Sequence, residues 1–90
     1  GKGVIEVSEI PGRLHQRIVQ EISEQFVFYK LQKRGIIEYQ GSGDRSKLLI
    51  DAFESERHPD WAVYLSTMPE LDQPWSIWKP DIVIEVVSES

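Results

Sequence analysis

Residues 80–88 constrain the fold of this chain more than any other segment, because they read as an apolar β-strand with one acid in its middle. The side chains of a strand alternate between two faces. One face here carries acids and valines, namely Asp81, Val83, Glu85 and Val87, and the other is aliphatic, namely Ile82, Ile84 and Val86. Isoleucine and valine on both faces are typical of the buried centre of a sheet. Glu85 is therefore predicted where a carboxylate is costly unless another group compensates its charge.

A long amphipathic helix is predicted from about residue 11 to residue 33. At about 100° per residue, its apolar arc holds Leu14, Ile18, Val19, Ile22, Phe26 and Tyr29, and its polar arc holds Arg13, Arg17, Gln20, Glu21 and Glu24. Gly35 follows as a left-handed cap, a conformation that glycine adopts without steric cost.

His15 falls inside the apolar arc of that helix, and its position has two interpretations. The first is a half-buried histidine with a local hydrogen bond. The second is a side chain that points from the helix into a functional site.

Short apolar segments predict the other strands, at residues 4–7, 35–39, 47–51 and 58–65, with a turn at residues 40–44 between the second and the third. Residues 66–78 are predicted as a loop in which Trp75 and Trp78 pack over the edge of the core, with an exposed recognition surface as the alternative. Residues 1–90 are thus expected to form one α/β domain, a long N-terminal helix packed on a mixed β-sheet.

The composition excludes several classes of protein. The chain has no cysteine, so disulfides and cysteine-ligated zinc are impossible. No apolar run approaches the roughly 20 residues that span a bilayer, and the first residues lack the apolar core of a signal peptide, so no membrane association and a cytoplasmic location are expected. The net charge of −5 gives no bulk attraction to nucleic acid. It does not exclude a nuclease, because a nuclease site must itself be acidic to hold metal.

Two predicted strands begin with the same dipeptide, Pro59-Asp60 and Pro80-Asp81. If these strands are neighbours, Asp60 can approach Glu85, and a cation between the two carboxylates would offset their repulsion. Oxygen ligands of this kind suit Mg²⁺ or Mn²⁺. Asp81 lies about 13 Å from Glu85 along the strand, too far to share that ion, and is interpreted as an acid that contacts a loop or starts the strand.

Three segments follow one another along the chain, namely residues 14–19 with His15-Gln16, residues 59–63 with Pro59-Asp60, and residues 80–88 with Pro80-Asp81 and Glu85. In this order they resemble the Uma-type restriction endonuclease family of the PD-(D/E)xK nuclease superfamily. The resemblance implies a restriction-endonuclease-like core that hydrolyses phosphodiester bonds of nucleic acid, most naturally DNA, with Mg²⁺ or Mn²⁺. It further implies that Asp60 and Glu85 bind the metal and that His15 is the helix histidine beside the catalytic site.

The sequence departs from the strict half-motif of the superfamily, in which a lysine stands two residues after the acid, since Val87 stands there. In the Uma-type family that lysine is typically displaced to a helix after the strand. Lys79 and Lys47 are the nearest candidates for a substitute, although neither matches the motif, and the ninety residues resemble a partial copy of the family. A degenerate, non-catalytic domain that acts as an oligomerisation or interaction module is therefore the alternative function, with an open sheet edge that favours a homodimer. A third possibility is a small α/β protein whose acids are all solvated.

Overall fold

A mixed four-stranded sheet, in the order β1-β4-β3-β2, organises the computed structural model, which describes residues 3–43, 47–52 and 58–88. The strands are β1 (Gly3–Ile10), β2 (Tyr39–Gly41), β3 (Trp61–Tyr64) and β4 (Ile82–Ser88). The helices are α1 (Gly12–Gln32) and α2 (Lys47–Ala52), and a single 3₁₀ turn covers Pro74–Ser76. A long helix with a mixed sheet confirms the predicted combination of α and β structure.

Strand β4 lies inside the sheet, as its apolar pattern predicts. It pairs in parallel with β1 and antiparallel with β3, and the backbone register sets Glu6 beside Glu85. Ile84 and Val86 are 1% and 3% exposed. Glu85 itself is half-buried on this interior strand, so its partial exposure lowers the cost of its charge.

The sheet packs on both faces. On one face, Val63 and Ile82 line a pocket with Phe26 and Tyr29 of α1. On the other face, the core is formed by Leu49, Ala62, Tyr64 and Trp78, with Tyr39 and Leu48 packed against it. Alternation along β3 explains this division, because Ala62 and Tyr64 face away from Val63.

Helix α1 ends close to the predicted position. The N–H of Lys33 donates to the carbonyl of Tyr29 at 2.8 Å, and Gly35 follows with φ of 91°, the left-handed conformation predicted for it. None of the residues of α1 is fully buried. Its apolar arc is therefore only partly covered by the sheet.

Two predicted strands differ from the structure. Residues 47–51 form the helix α2 rather than a strand, and α2 places Leu49 in the core at 0% exposure. The strand predicted at residues 35–39 begins only at Tyr39, because the turn around Gly35 takes the preceding residues. Of the predicted turn at residues 40–44, Gln40 and Gly41 lie in β2, Gly43 lies in a turn, and Asp44 is outside the described residues.

The two tryptophans of the loop before β4 pack against the protein as predicted. Trp78 is buried, and its Nε1 donates to both the carbonyl oxygen and Oγ of Ser66, at 3.0 and 3.1 Å. Trp75 is half-buried. Across the part of the chain that the structure describes, no helix is long and apolar enough to cross a bilayer.

Tyr64 stacks on Trp78, with ring centroids 3.8 Å apart, and is 0% exposed. Its hydroxyl has no hydrogen-bond partner among the described residues. Burial, and to a smaller extent the neighbouring phenol of Tyr39, raises the pKa of Tyr64 to about 12. The folded protein therefore holds this side chain in its neutral form in moderately alkaline solution.

We expect the Tyr64→Phe variant to be more stable than the wild type, by about 1 kcal/mol near neutral pH, because it removes a buried hydroxyl without a partner. The difference should widen above pH ~10, where the unfolded tyrosine ionises, and continue to grow until about pH 12, where the folded one follows. Its slope should be about 1.4 kcal/mol per pH unit. Urea denaturation at neutral and alkaline pH measures both effects, and a destabilised variant would show that the hydroxyl has a partner.

Candidate active site

The two Pro-Asp dipeptides perform the same structural task at opposite ends of the β3–β4 pair. The N–H of Asp60 donates to the carbonyl of Ile84 at 3.0 Å, and Oδ2 of Asp60 accepts the N–H of Val86 at 2.7 Å. The N–H of Asp81 donates to the carbonyl of Val63 at 2.9 Å, and its Oδ2 accepts the N–H of Leu65 at 2.7 Å. Each aspartate thus binds two backbone groups of the opposite strand.

This reciprocal arrangement explains the composition of the dipeptide. Ile84 is the register partner of Trp61, yet the preceding residue, Asp60, also donates to it, so two consecutive residues face one, as in a β-bulge. Proline has no N–H, so it cannot continue the ladder beyond that point. The carboxylate of Asp60 accepts the N–H of Val86, while the carbonyl of Pro59 accepts the N–H of Gly43 at 3.1 Å. The prediction that Asp81 is an acid at the start of its strand is confirmed.

Asp60 differs from Asp81 in having a histidine beside it. Nε2 of His15, on α1, lies 3.4 Å from Oδ2 of Asp60, and the two side chains are 21% and 26% exposed. His15 is thus half-buried, as in the first of its two interpretations, and it also contacts Asp60, a residue of the predicted site. The Asp60 contacts to His15 and to the Val86 N–H both use Oδ2.

Asp60 also opens on a cavity, of about 290 Å³, between α1 and the sheet. The lining is largely polar and comprises Gln16, Val19, Gln20, Ser23, Ser42, Asp60 and Trp61. A hydrogen-bonded link supports this wall, since Trp61 Nε1 donates to Gln40 Oε1 at 3.1 Å and Gln40 Nε2 donates to the Phe26 carbonyl at 3.3 Å. The link ties β3, β2 and α1 together around the cavity.

The backbone of Glu85 lies opposite Asp60 across the β3–β4 pair, because Asp60 forms hydrogen bonds with Ile84 and Val86, the residues on either side of Glu85. Because side chains alternate along β4, the Glu85 side chain lies on the opposite face of the sheet from the buried side chains of Ile84 and Val86. Glu85 does not line the cavity beside Asp60. The structure therefore brings the side chains of His15 and Asp60 into contact, whereas the alternation of β4 directs the side chain of Glu85 to the other face of the sheet.

Within residues 3–43, 47–52 and 58–88, no group of three or more acidic, histidine or cysteine side chains is arranged to hold a metal ion. A pair of carboxylates nevertheless suits Mg²⁺, which is usually held by one or two carboxylates and retains several waters. The donor chemistry of Asp60 and Glu85 fits such an ion.

Lys79 does not substitute for the missing motif lysine. Its Nζ donates to the carbonyl of Trp75 at 3.0 Å, and it precedes the start of β4, roughly 20 Å along the strand from Glu85. The side chain of Lys47, the other candidate, lies outside the described part of the structure. Val87, at the motif position, is half-buried.

Comparison with known protein families, curated proteins and solved structures gives no match to this chain. The resemblance to the Uma-type family, and the roles that it implies for Asp60, Glu85 and His15, stay predictions.

Sequence reasoning missed most of the cavity wall. Gln16, Gln20 and Ser23 recur at helical spacing along the border of the apolar arc, and that polar stripe was the available signal. Gln40 and Trp61 gave no comparable signal, because their hydrogen bond depends on the pairing of β2 with β3.

Proposed function

We propose that this chain is a metal-dependent endonuclease domain that hydrolyses phosphodiester bonds in nucleic acid, most naturally DNA. Asp60 and Glu85 would hold Mg²⁺ or Mn²⁺, and His15 would act beside them. The observation that carries the proposal is the contact of Asp60 with His15 at the mouth of a polar cavity. The restriction-endonuclease-like core implied by the resemblance belongs to the same proposal.

The difference between the two Pro-Asp sites supports this assignment. Asp60 and Asp81 make equivalent backbone bonds, so strand pairing alone explains both aspartates. Among the described residues, Asp60 also contacts a histidine of α1 and lines a polar cavity. A structural role alone requires neither of these features.

Each residue then has a separate task. The Val86 N–H holds Oδ2 of Asp60, which leaves Oδ1 as the oxygen for a cation. Nε2 of His15 contacts the same carboxylate and would orient it, and a neutral His15 that donates from Nε2 would have Nδ1 as the acceptor of a proton from water. A divalent cation in this site would stabilise charge on a phosphate and lower the pKa of a water molecule.

The alternative function is a degenerate nuclease-like domain that serves as an interaction module. It is favoured by Val87, because the apolar side chain at the motif position cannot stabilise developing negative charge as a lysine would. Lys79 bonds elsewhere and does not replace it. On this alternative the Asp60 bonds serve the strand pair only.

Calorimetric titration with Mn²⁺ tests whether the site binds metal. We expect one ion per chain for the wild type, and an affinity lowered at least about tenfold in Asp60→Asn and in Glu85→Gln, since each loses a charged ligand. Asp81→Asn is the matched control, because it changes the equivalent carboxylate without touching the proposed site. Equal binding by the wild type and Glu85→Gln would contradict the metal assignment, whereas loss of binding in Asp81→Asn would show a general structural effect.

A further inference from the structure

The polar cavity beside Asp60 is lined mostly by neutral groups that donate and accept hydrogen bonds. Gln16, Gln20 and Ser23 of α1 line one side of it, and Ser42 and Trp61 line the side of the sheet. Among the described residues that line the cavity, Asp60 is the only charged one, and none is basic. A phosphate group would therefore meet no cation here, whereas a neutral polar ring would meet both donors and acceptors.

The helix side of the cavity offers an amide that no other described residue binds. Gln16 is exposed, and its amide forms no hydrogen bond within the part of the chain that the structure describes. Gln20 donates from Nε2 to Oε2 of Glu24 at 3.2 Å, which leaves its Oε1 as an acceptor. Ser23 donates from Oγ to the carbonyl of Gln20 at 2.9 Å, so its oxygen can still accept a hydrogen bond. Gln16 therefore has both a donor and an acceptor available for a ligand.

The sheet side of the cavity carries an indole in a fixed orientation. Trp61 is half-buried, and its Nε1 donates to Gln40, which in turn donates to the carbonyl of Phe26. A side chain held in this way loses little further conformational entropy when a ligand binds. Aromatic side chains are also the surfaces on which proteins stack unpaired bases.

The volume of the cavity suits one heterocyclic base. A cavity of about 150 Å³ accommodates a benzene ring, and this cavity has about 290 Å³. A purine has fewer than twice as many ring and substituent atoms as benzene, so it fits within this volume. Because Gln16 and Gln20 are exposed, the cavity is open to solvent on the helix side, where an attached sugar can remain outside.

We propose that this cavity binds one unpaired nucleobase, whose polar edge contacts the amide of Gln16 while its ring lies against Trp61. The base can enter only when it is out of a duplex, so the expected substrate is single-stranded or locally opened nucleic acid. Binding of the base does not require catalysis. Its use in placing a strand beside Asp60 rests on the proposed nuclease function.

NMR titration of the ¹⁵N-labelled chain with deoxyadenosine in EDTA tests the cavity without metal or catalysis. Deoxyadenosine is the probe because a glutamine amide matches the donor and acceptor of the adenine edge. The indole N–H signal of Trp61, assigned with the Trp61→Phe variant, should shift in a saturable way. Gln16→Leu should weaken binding about tenfold. Gln25→Leu is the matched control, since Gln25 is an exposed glutamine of the same helix that does not line this cavity.

Ribose 5-phosphate is the second control, and it should leave the Trp61 signal unchanged because the cavity lining offers no cation. The other signals of each variant show whether the fold is retained. No shift up to the solubility limit of deoxyadenosine would overturn the proposal, as would equal affinities of the wild type and Gln16→Leu. Saturable binding that Gln16→Leu weakens would support the base site even if the chain cleaves no nucleic acid, in which case only the nuclease function fails.

Discussion

Asp60→Ala is expected to lower the free energy of unfolding by about 1.5–3 kcal/mol, the usual range for a hydrogen bond to a charged group. The variant leaves the N–H of Val86 without its acceptor in a partly buried part of the sheet, where water replaces the carboxylate poorly. Asp60→Asn keeps an oxygen at the same place and should lose less than about 1 kcal/mol.

Asp81→Ala provides the internal comparison for this effect. Its carboxylate accepts the N–H of Leu65 at the exposed end of the pair, so water can replace it, and we expect a loss of only about 1 kcal/mol. Urea denaturation of the four proteins measures the ranking. If Asp81→Ala and Asp60→Ala lowered the free energy of unfolding equally, the exposure of the carboxylate hydrogen bond would not determine its contribution to stability. That result would contradict the proposed difference between the two sites.

The sequence was most informative where one pattern dominates a long segment. The apolar arc of α1 extends over about four turns, so its helical period is unambiguous, and Gly35 marks its end. The aliphatic residues on both faces of β4 required an interior strand, and β4 lies between β1 and β3. These elements follow from burial, which dominates the energetics of folding.

The sequence was least informative where an apolar run is short. Leu48, Leu49 and Ile50 are consecutive, so they show neither the period of a strand nor that of a helix, and the short apolar run predicts a strand that the structure does not contain. The structure makes it α2 because Leu49 fills the core against Ala62 and Trp78. Contacts with residues distant in the sequence therefore determine the conformation of residues 47–52, which local preference leaves open.

The candidate site was predictable in its residues and not in its geometry. The repeated Pro-Asp dipeptide was visible in the sequence, but its meaning depends on β3 and β4 being antiparallel neighbours. The meeting of His15 with Asp60 depends in turn on how α1 lies across the sheet. The alternation of β4 also places Glu85 on the other face of the strand from Ile84 and Val86. The strand pattern predicts this placement, whereas the number of residues between Asp60 and Glu85 does not.

Cleavage of supercoiled plasmid DNA in the presence of Mg²⁺ tests the proposed nuclease function most directly. We expect slow nicking by the wild type, slow because valine occupies position 87, and nicking that stops when the metal is chelated. Asp60→Asn and Glu85→Gln should each lower the rate about 100-fold or more, as for other losses of charge stabilisation in a transition state. Asp81→Asn should cleave at the wild-type rate, and Val87→Lys should cleave faster. No cleavage of DNA or RNA by the wild type, or equal cleavage by the wild type and Glu85→Gln, would contradict the account.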